Sequence, residues 1–308
     1  MPTQSIARVV STGYVPSFKY ADGFSSVDGI LYQRTDDGVF PIAHGSYGAI
    51  VVDPLGPITT LTQAFSKVTA DIKTILLNPG EYTEPAAVNW PTLKGVSVIG
   101  IGGAAVTQIL ASAGTKVINV APGVQTSSFT GLLQGVEIVH DLGSQSGIRF
   151  DNTGMTKKLG FNIVDCMFSP DDGEVDNSID VAVHGDAGNS IRIYVQGKPG
   201  QNEIGGRVYF KTVNNADRLH LENCWLVGGD GSTNAAIYTS SDAIEFRLRL
   251  FRCVVPHNSG TSGGNGLQRI AAVNCYSWID YDDLTQEIFA ALDSNDMIGS
   301  HTEQTIVA

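Results

Sequence analysis

The chain has 308 residues and a mass of 32.6 kDa, with 35 glycines, only 16% charged residues, a formal charge of −12 and a pI near 4.8. That length can bury a sizeable core in one large or two average domains, and a 42% hydrophobic content is not that of a disordered chain. The glycine content excludes a long-helix protein, and the acidity excludes a general nucleic-acid binder, which would be basic.

The N-terminus lacks a basic segment followed by an apolar core, so no secretory signal is expected. The longest apolar candidate, residues 95–106, carries four glycines and is too short to span a membrane. Residues 1–56 read as a β-rich docking segment with strand-like stretches at 29–34 and 49–52. Pro57 suits the first position of a short helix, whose apolar face would be Ile58, Leu61, Phe65 and Val68.

An internal repeat follows. Aligning Cys166, Cys224, Cys253 and Cys275 superposes segments 161–168, 219–226, 248–255 and 270–277, each apolar five and three places before the cysteine. Segments 96–101, 131–138 and 191–196 fit the same frame without cysteine. The column then falls at 101, 136, 166, 196, 224, 253 and 275, a period near 29 that is irregular at both ends. Short alternating strands broken by Gly, Asn and Asp at such a period are the mark of a β-solenoid, and helical i, i+3, i+4 spacing is absent. One coil cannot bury its own inner face, so coils stack about 4.8 Å apart, and seven would form a stub roughly 30 Å long.

The cysteines read as small inward core residues at a corner. Stacked parallel side chains sit too far apart for good disulfide geometry, and no CxxC pair points to zinc. The column four places before the cysteine holds Ser97, Leu132, Asn162, Arg192, His220, Arg249 and Ala271. Two places before it stand Ile99, Gln134, Val164, Tyr194, Glu222, Phe251 and Val273, and one place after it Met167, Trp225, Val254 and Tyr276. Apolar residues on the outer as well as the inner face imply a cover, either a flanking segment or a neighbouring subunit. The expected interface is therefore Ile99, Val164, Met167, Tyr194, Trp225, Phe251, Val254, Val273 and Tyr276. In the C-terminal part, Asp283 with Gln286 would cap a helix whose apolar face is Leu284, Ile288, Phe289 and Leu292, closing the solenoid's open end.

The short helix, the strand at 72–77, the Pro79-Gly80-Glu81-Tyr82 turn and Gly95-Val-Ser-Val-Ile-Gly100 resemble the start of the pectin-lyase-like right-handed parallel β-helix, over about residues 59–278. The resemblance implies an all-β fold, a single-stranded right-handed parallel β-helix of about seven coils with a short N-terminal capping helix and a C-terminal helix. Its expected divisions are 1–56 for docking, 57–279 for the β-helix and 280–308 for the capping helix and tail. That superfamily includes lyases, hydrolases, adhesins and phage virion proteins, so the fold does not name the activity.

A glycoside hydrolase would place two carboxyls about 5 to 9.5 Å apart, yet the two outward columns before the cysteine hold one carboxylate, Glu222. The acidic clusters Asp36–Asp37, Asp171, Asp172, Glu174 and Asp176, and Asp280, Asp282 and Asp283 read as turn or cap carboxylates. His184-Gly-Asp186 loosely resembles the Gly-His-Gly of the polygalacturonase group, but the companion Asn-Thr-Asp and Arg-Ile-Lys motifs are missing, and Arg192-Ile-Tyr194 lacks the lysine. The six histidines show no metal-ligand spacing, and neither Gly102–Gly103 nor Gly228–Gly229 opens a helix with a lysine. No catalytic, cofactor or metal residue is expected, and the chain is read as a non-enzyme. A polysaccharide lyase or hydrolase with its active site between subunits is the residual alternative.

The expected function is a structural bacteriophage virion protein, foremost a capsid decoration (cement) protein that stabilises the head. The alternative is a tail spike or fibre with polysaccharide-binding or depolymerase activity. The expected partners are further copies of the chain (a homotrimer by the resemblance), the major capsid protein or other virion proteins, and a surface glycan, with no nucleic acid or membrane. The expected location is the virion, after synthesis in the host cytoplasm.

Overall fold

The structure, a computed structural model, describes residues 24–27, 30–35, 38–41, 49–140, 145–170, 177–183, 189–197, 203–210, 216–226, 237–239, 247–256, 269–278 and 301–304. Successive circuits of the chain add strands to three parallel ladders, which makes an all-β parallel β-helix. The first ladder joins Ala49–Val52, Thr74–Leu77, Val96–Gly100, Phe129–Gln134, Leu159–Val164, Ile191–Gln196, Arg218–Glu222 and Arg247–Phe251, then runs into Arg269–Trp278. The second joins Gly80–Glu84, Thr107–Ala111, Glu137–His140, Met167–Pro170, Glu203–Ile204, Trp225–Leu226 and Val254–Pro256. The third joins Val88–Asn89, Lys116–Val120, Ser146–Asp151, Asn177–Val183, Arg207–Phe210 and Ile237–Thr239.

The core lies between the three ladders, and its columns follow from the strand period of two. Ile50, Ile75, Val98, Leu133, Ile163, Val195, Leu221 and Leu250 stand over one another in the first ladder, all of them buried. Tyr82, Ile109, Ile138, Phe168, Ile204 and Leu226 do the same in the second. Val88, Ile118, Ile148, Ile179 and Val208 do so in the third. Burying one such side chain is worth about 1.5–3 kcal/mol relative to leaving it exposed. Edge-to-face contacts run from Phe65 to Trp90 to Phe161 to Phe150 and bind the helix to the ring layers.

The parallel ladder begins at Ala49, within the segment expected as a separate docking arm. Upstream, Phe24–Val27, Ile30–Thr35 and Gly38–Pro41 form antiparallel pairs, and Ile30–Thr35 also pairs antiparallel with Ala49–Val52. The helix spans Leu61–Phe65 and does not start at Pro57. Its N-cap is Thr60, whose hydroxyl accepts the Gln63 N–H at 3.2 Å. The buried Glu84 carboxylate, from a second-ladder strand, accepts the N–H groups of Leu61 and Thr62 and the Thr62 hydroxyl. These acceptors satisfy the first free N–H groups and fix the start four residues later than proline alone would place it. Ile58 and Leu61 are buried, and Phe65 and Val68 pack against the core, as their spacing predicts. The expected C-terminal helix around 283–292 lies outside the described residues; in the expected tail, His301–Gln304 is a strand paired parallel with Arg269–Trp278.

One polar network lies inside the solenoid. The His140 ring is buried, with Nδ1 3.1 Å from the Gln145 carbonyl and Nε2 3.2 Å from the Ser178 hydroxyl, which accepts the Gly206 N–H at 2.8 Å. The carbonyl can only accept, so Nδ1 carries a proton.

Two substitutions test the stacking. A Cβ on Gly100 would stand 2.1 Å from the Gly135 carbonyl oxygen of the next coil, which is backbone and cannot yield cheaply. Gly100→Ala should therefore lower the thermal midpoint more than Ile163→Val, which is expected to cost about 0.5–1.5 kcal/mol. Equal midpoints for Gly100→Ala and the unaltered protein would contradict the register.

Candidate functional site

The first and second ladders meet at a corner one residue wide. Gly135, Asp165, Asn223 and Arg252 hold φ of 65°, 51°, 52° and 51°, the left-handed region, and each is followed by a buried residue: Val136, Cys166, Cys224 or Cys253. Asp and Asn tolerate this conformation through their short polar side chains, whereas Arg252 adopts it with no such help. The thiols are free and buried. Cys166 Sγ lies 3.3 Å from the Val164 carbonyl and 3.6 Å from that of Leu133 on the preceding coil. Cys253 Sγ is similarly placed, 3.5 Å from Phe251 and 3.3 Å from Leu221. Burial pushes the Cys166 thiol up to about 12, so it is an inert core group.

From this corner the outer surface of the first ladder is laid out in columns. Nearest the corner stand Ile99, Gln134, Val164, Gln196, Glu222 and Phe251, with Val273 at the same register position. The next column is Ser97, Leu132, Asn162, Tyr194, His220 and Arg249, with Ala271 at the same register position. The third is Thr130, Gly160, Arg192 and Arg218, with Arg247 and Arg269 at the same register position. Four successive strands thus carry arginine at one register position, and Arg249 stands in the column beside them.

This corrects the sequence alignment of one coil. Position 196 was expected in the cysteine column, but Gln196 pairs with Val164 and Glu222, which puts the equivalent position at 198. Tyr194 therefore leaves the column of Val164 and Phe251 for that of Asn162 and His220. Arg192 leaves that column for the arginine position. The coil has neither cysteine nor an αL Asp or Asn, so the apolar pattern alone could slip by two without changing faces. Placing Gly197 level with Gly135 would have found the register.

Of the expected interface residues, Ile99, Val164, Met167 and Phe251 are half-buried on the outer side, while Tyr194 and Trp225 are 39% and 44% exposed. Met167 and Trp225 share a second-ladder column with Glu81, Gln108, Glu137 and Glu203, so acids interrupt that apolar row. Val254 and Tyr276 hold the same register position as Trp225. Exposed apolar groups also mark the N-terminal end of this corner, where Ile101 and Val106 lie near Pro79 across Gly102.

The Tyr194 and His220 rings lie 5.8 Å apart, and His220 Nε2 is 3.8 Å from Glu222 Oε2, beyond hydrogen-bond reach. Desolvation, then the Arg249 charge, lowers the His220 pKa below its ordinary 6.5, while Glu222 pulls it back up. The Arg252 guanidinium lies 4.9 Å from the Phe251 ring centre. Several other carboxylates have structural partners. Glu137 accepts from Gln108 and Ser169 at 2.7 and 2.6 Å, Asp180 from Arg149 and Ser146 at 2.9 and 2.8 Å, and Asp217 from the Ile191 N–H at 2.8 Å. His184, Asp186 and the acidic clusters at 36–37, 171–176 and 280–283 lie outside the described residues. Among the described residues no three His, Cys, Asp or Glu side chains gather as a metal cluster, and no helix is long and apolar enough to cross a membrane.

No family model matches the chain, and no curated protein does. Among solved structures, pectin methylesterase from carrot aligns at 13% identity and a TM-score of 0.34, covering 83% of this chain and 82% of that one. The parallel β-helix is established by the chain's own three ladders.

Two measurements follow from this geometry. In a Cys275→Ser background the folded protein should consume no thiol reagent, and unfolding should release three reactive thiols, Cys166, Cys224 and Cys253. Rapid labelling of the folded form would contradict their burial. His220 binds its proton more weakly folded than unfolded. Its contribution to stability is thus complete above pH 6.5 and is lost as pH falls from there through the lower folded value. His220→Gln should flatten that limb of the urea midpoint against pH, and an unchanged limb would remove His220 as its cause.

Proposed function

We propose that the protein is a structural component of a bacteriophage particle, assembled side by side through the corner between its first and second ladders. The supporting observation is the apolar edge there. Trp225 stands 44% exposed and Ile101 57%, and the two columns flanking the corner hold half-buried Ile99, Val164, Met167 and Phe251 among Gln134, Gln196, Glu137, Glu203 and Glu222. An apolar outer edge on a solenoid whose inner face is already filled is a surface for another subunit. The step from an assembling solenoid to a phage particle is an inference from the pectin-lyase-like resemblance, whose superfamily includes virion proteins alongside lyases, hydrolases and adhesins, and from the sequence's lack of the companion catalytic motifs of the polygalacturonase group. In this proposal the solenoid is right-handed, runs to about seven coils and is closed by short helices. Three copies pack together and dock on the major capsid protein as a head decoration. A tail spike or fibre with polysaccharide-binding or depolymerase activity is the second reading, favoured by the polar and cationic columns beside that edge.

Copy number in purified particles separates the two readings. Hundreds per particle support decoration, a handful supports a tail appendage, and absence from particles overturns both. Light scattering at micromolar concentration should give an oligomer that Trp225→Glu weakens, and a monomer would overturn side-by-side assembly.

A further inference from the structure

Arg252 turns the corner between the first and second ladders with φ at 51°, in the left-handed region. On other coils Gly135, Asp165 and Asn223 make the same turn, glycine because it has no Cβ, Asp and Asn because their short side chains bond locally. Arginine has neither relief, so the corner itself disfavours it. Its charge also goes unused within the chain. The guanidinium is exposed and lies 4.9 Å from the Phe251 ring centre, and among the described residues it forms no ion pair. It does not serve the preceding corner either, where Asn223 Oδ1 is buried without a hydrogen-bond partner. One carboxylate flanks this end of the corner with the same lack. The Glu222 side chain is 28% exposed and accepts no hydrogen bond among the described residues, with His220 Nε2 beside it at 3.8 Å. Glu222 pairs in register with Phe251, so it stands one ladder step, about 4.8 Å along the axis, from the coil of Arg252.

From this arrangement we propose that the Arg252 guanidinium pairs with the Glu222 carboxylate of a second copy of the chain and so fixes the height at which neighbouring solenoids meet. The proposal rests on the side-by-side assembly proposed above and names its charged contact. Copies related by an axis parallel to the solenoids meet at equal heights, and Arg252 and Glu222 differ in height by a single step, within the reach of an arginine side chain. A guanidinium stacked on an aromatic ring still has its N–H edge free for a carboxylate. Apolar contacts alone would set the height poorly. In the corner column Ile99, Val164 and Phe251 are interrupted by neutral Gln134 and Gln196, so a slip along the axis exchanges one apolar or amide contact for another. A charge pair is lost by the same slip, which makes it the selective element. Copies of a chain with a net charge of −12 repel one another, and a cation held unpaired at the contact offsets part of that repulsion. The strained corner thus serves the assembly rather than the single chain.

The test uses the full chain and reads self-association by light scattering over a dilution series, with the thermal midpoint taken where the protein is dissociated. Arg252→Asn should weaken association by roughly tenfold or more. It should also raise the midpoint of the dissociated protein, because Asn tolerates the left-handed corner. A merely structural arginine would not move the two in opposite directions. Glu222→Gln should weaken association to a similar degree, and combining it with Arg252→Asn should add little. Exchanging the charges in one chain, Arg252→Glu with Glu222→Arg, should restore association that either reversal alone loses. Rising salt should loosen the unaltered oligomer more than the Arg252→Asn oligomer. Circular dichroism of each variant distinguishes lost association from lost fold. The proposal falls if Arg252→Asn associates as tightly as the unaltered protein, if the two neutral substitutions act independently, or if the folded exchange variant recovers nothing. An oligomer that Trp225→Glu weakens and Arg252→Asn does not would overturn this pairing and leave the assembly standing. A monomer would overturn both.

Discussion

Everything in this molecule depends on parallel strands stacked in register at a single pitch. In such a ladder a residue's nearest neighbours are the residues at the same position one coil above and below. Inward positions must therefore be filled by side chains that stack well on their own kind. The column Ile50, Ile75, Val98, Leu133, Ile163, Val195, Leu221, Leu250 is β-branched or leucine throughout, and all are buried. Where a coil departs from this, its neighbours compensate. Gly131 occupies the inward column between Val96 and Phe161, and the Phe161 ring and Trp90 lie where its side chain would be.

The corner obeys the same rule on a smaller scale. A turn of one residue keeps two flat ladders adjacent only if that residue takes positive φ, and Gly135, Asp165, Asn223 and Arg252 all do. The residue after it must enter a confined space, and Val136, Cys166, Cys224 and Cys253 are small enough. A thiol fits where a hydroxyl would demand a stronger partner. Cys166 and Cys253 each rest against a carbonyl of their own strand and one of an earlier coil. The cysteine repeat is thus a by-product of corner geometry.

That link explains what could be read from the chain alone. The repeat was legible because the corner imposes both the cysteine and the alternating apolar pairs before it, and those positions locate the strands around 161–168, 219–226 and 248–255. The coil at 191–196 was misplaced by two because an alternating pattern looks the same after a shift of two, and its corner lacks the marker. The helix start was misplaced because Pro57 was read in place of the local N-cap Thr60, and because the Glu84 carboxylate that also accepts at the first turn lies 23 residues beyond Leu61, where local sequence carries no trace of it. The third ladder went unread, since between its strands and the corner lie segments of varying length that no fixed period can index. The slip of two hid only Arg192 from the arginine position, whereas Arg218, Arg247 and Arg269 each lie six places before their cysteine, one column beyond those that were read.

Register also makes outward columns costly when they carry like charge. Two unit charges one ladder step apart repel by about 1 kcal/mol even at the dielectric of water, and by more where side chains are half-buried. Arg192 and Arg218 are both half-buried. Nothing in the fold requires arginine there, since Thr130 and Gly160 occupy the same position on earlier coils. Salt and splaying of the long side chains reduce the repulsion without removing it. The pitch that stacks leucine on valine inside spaces Arg218 one step from Arg192 outside.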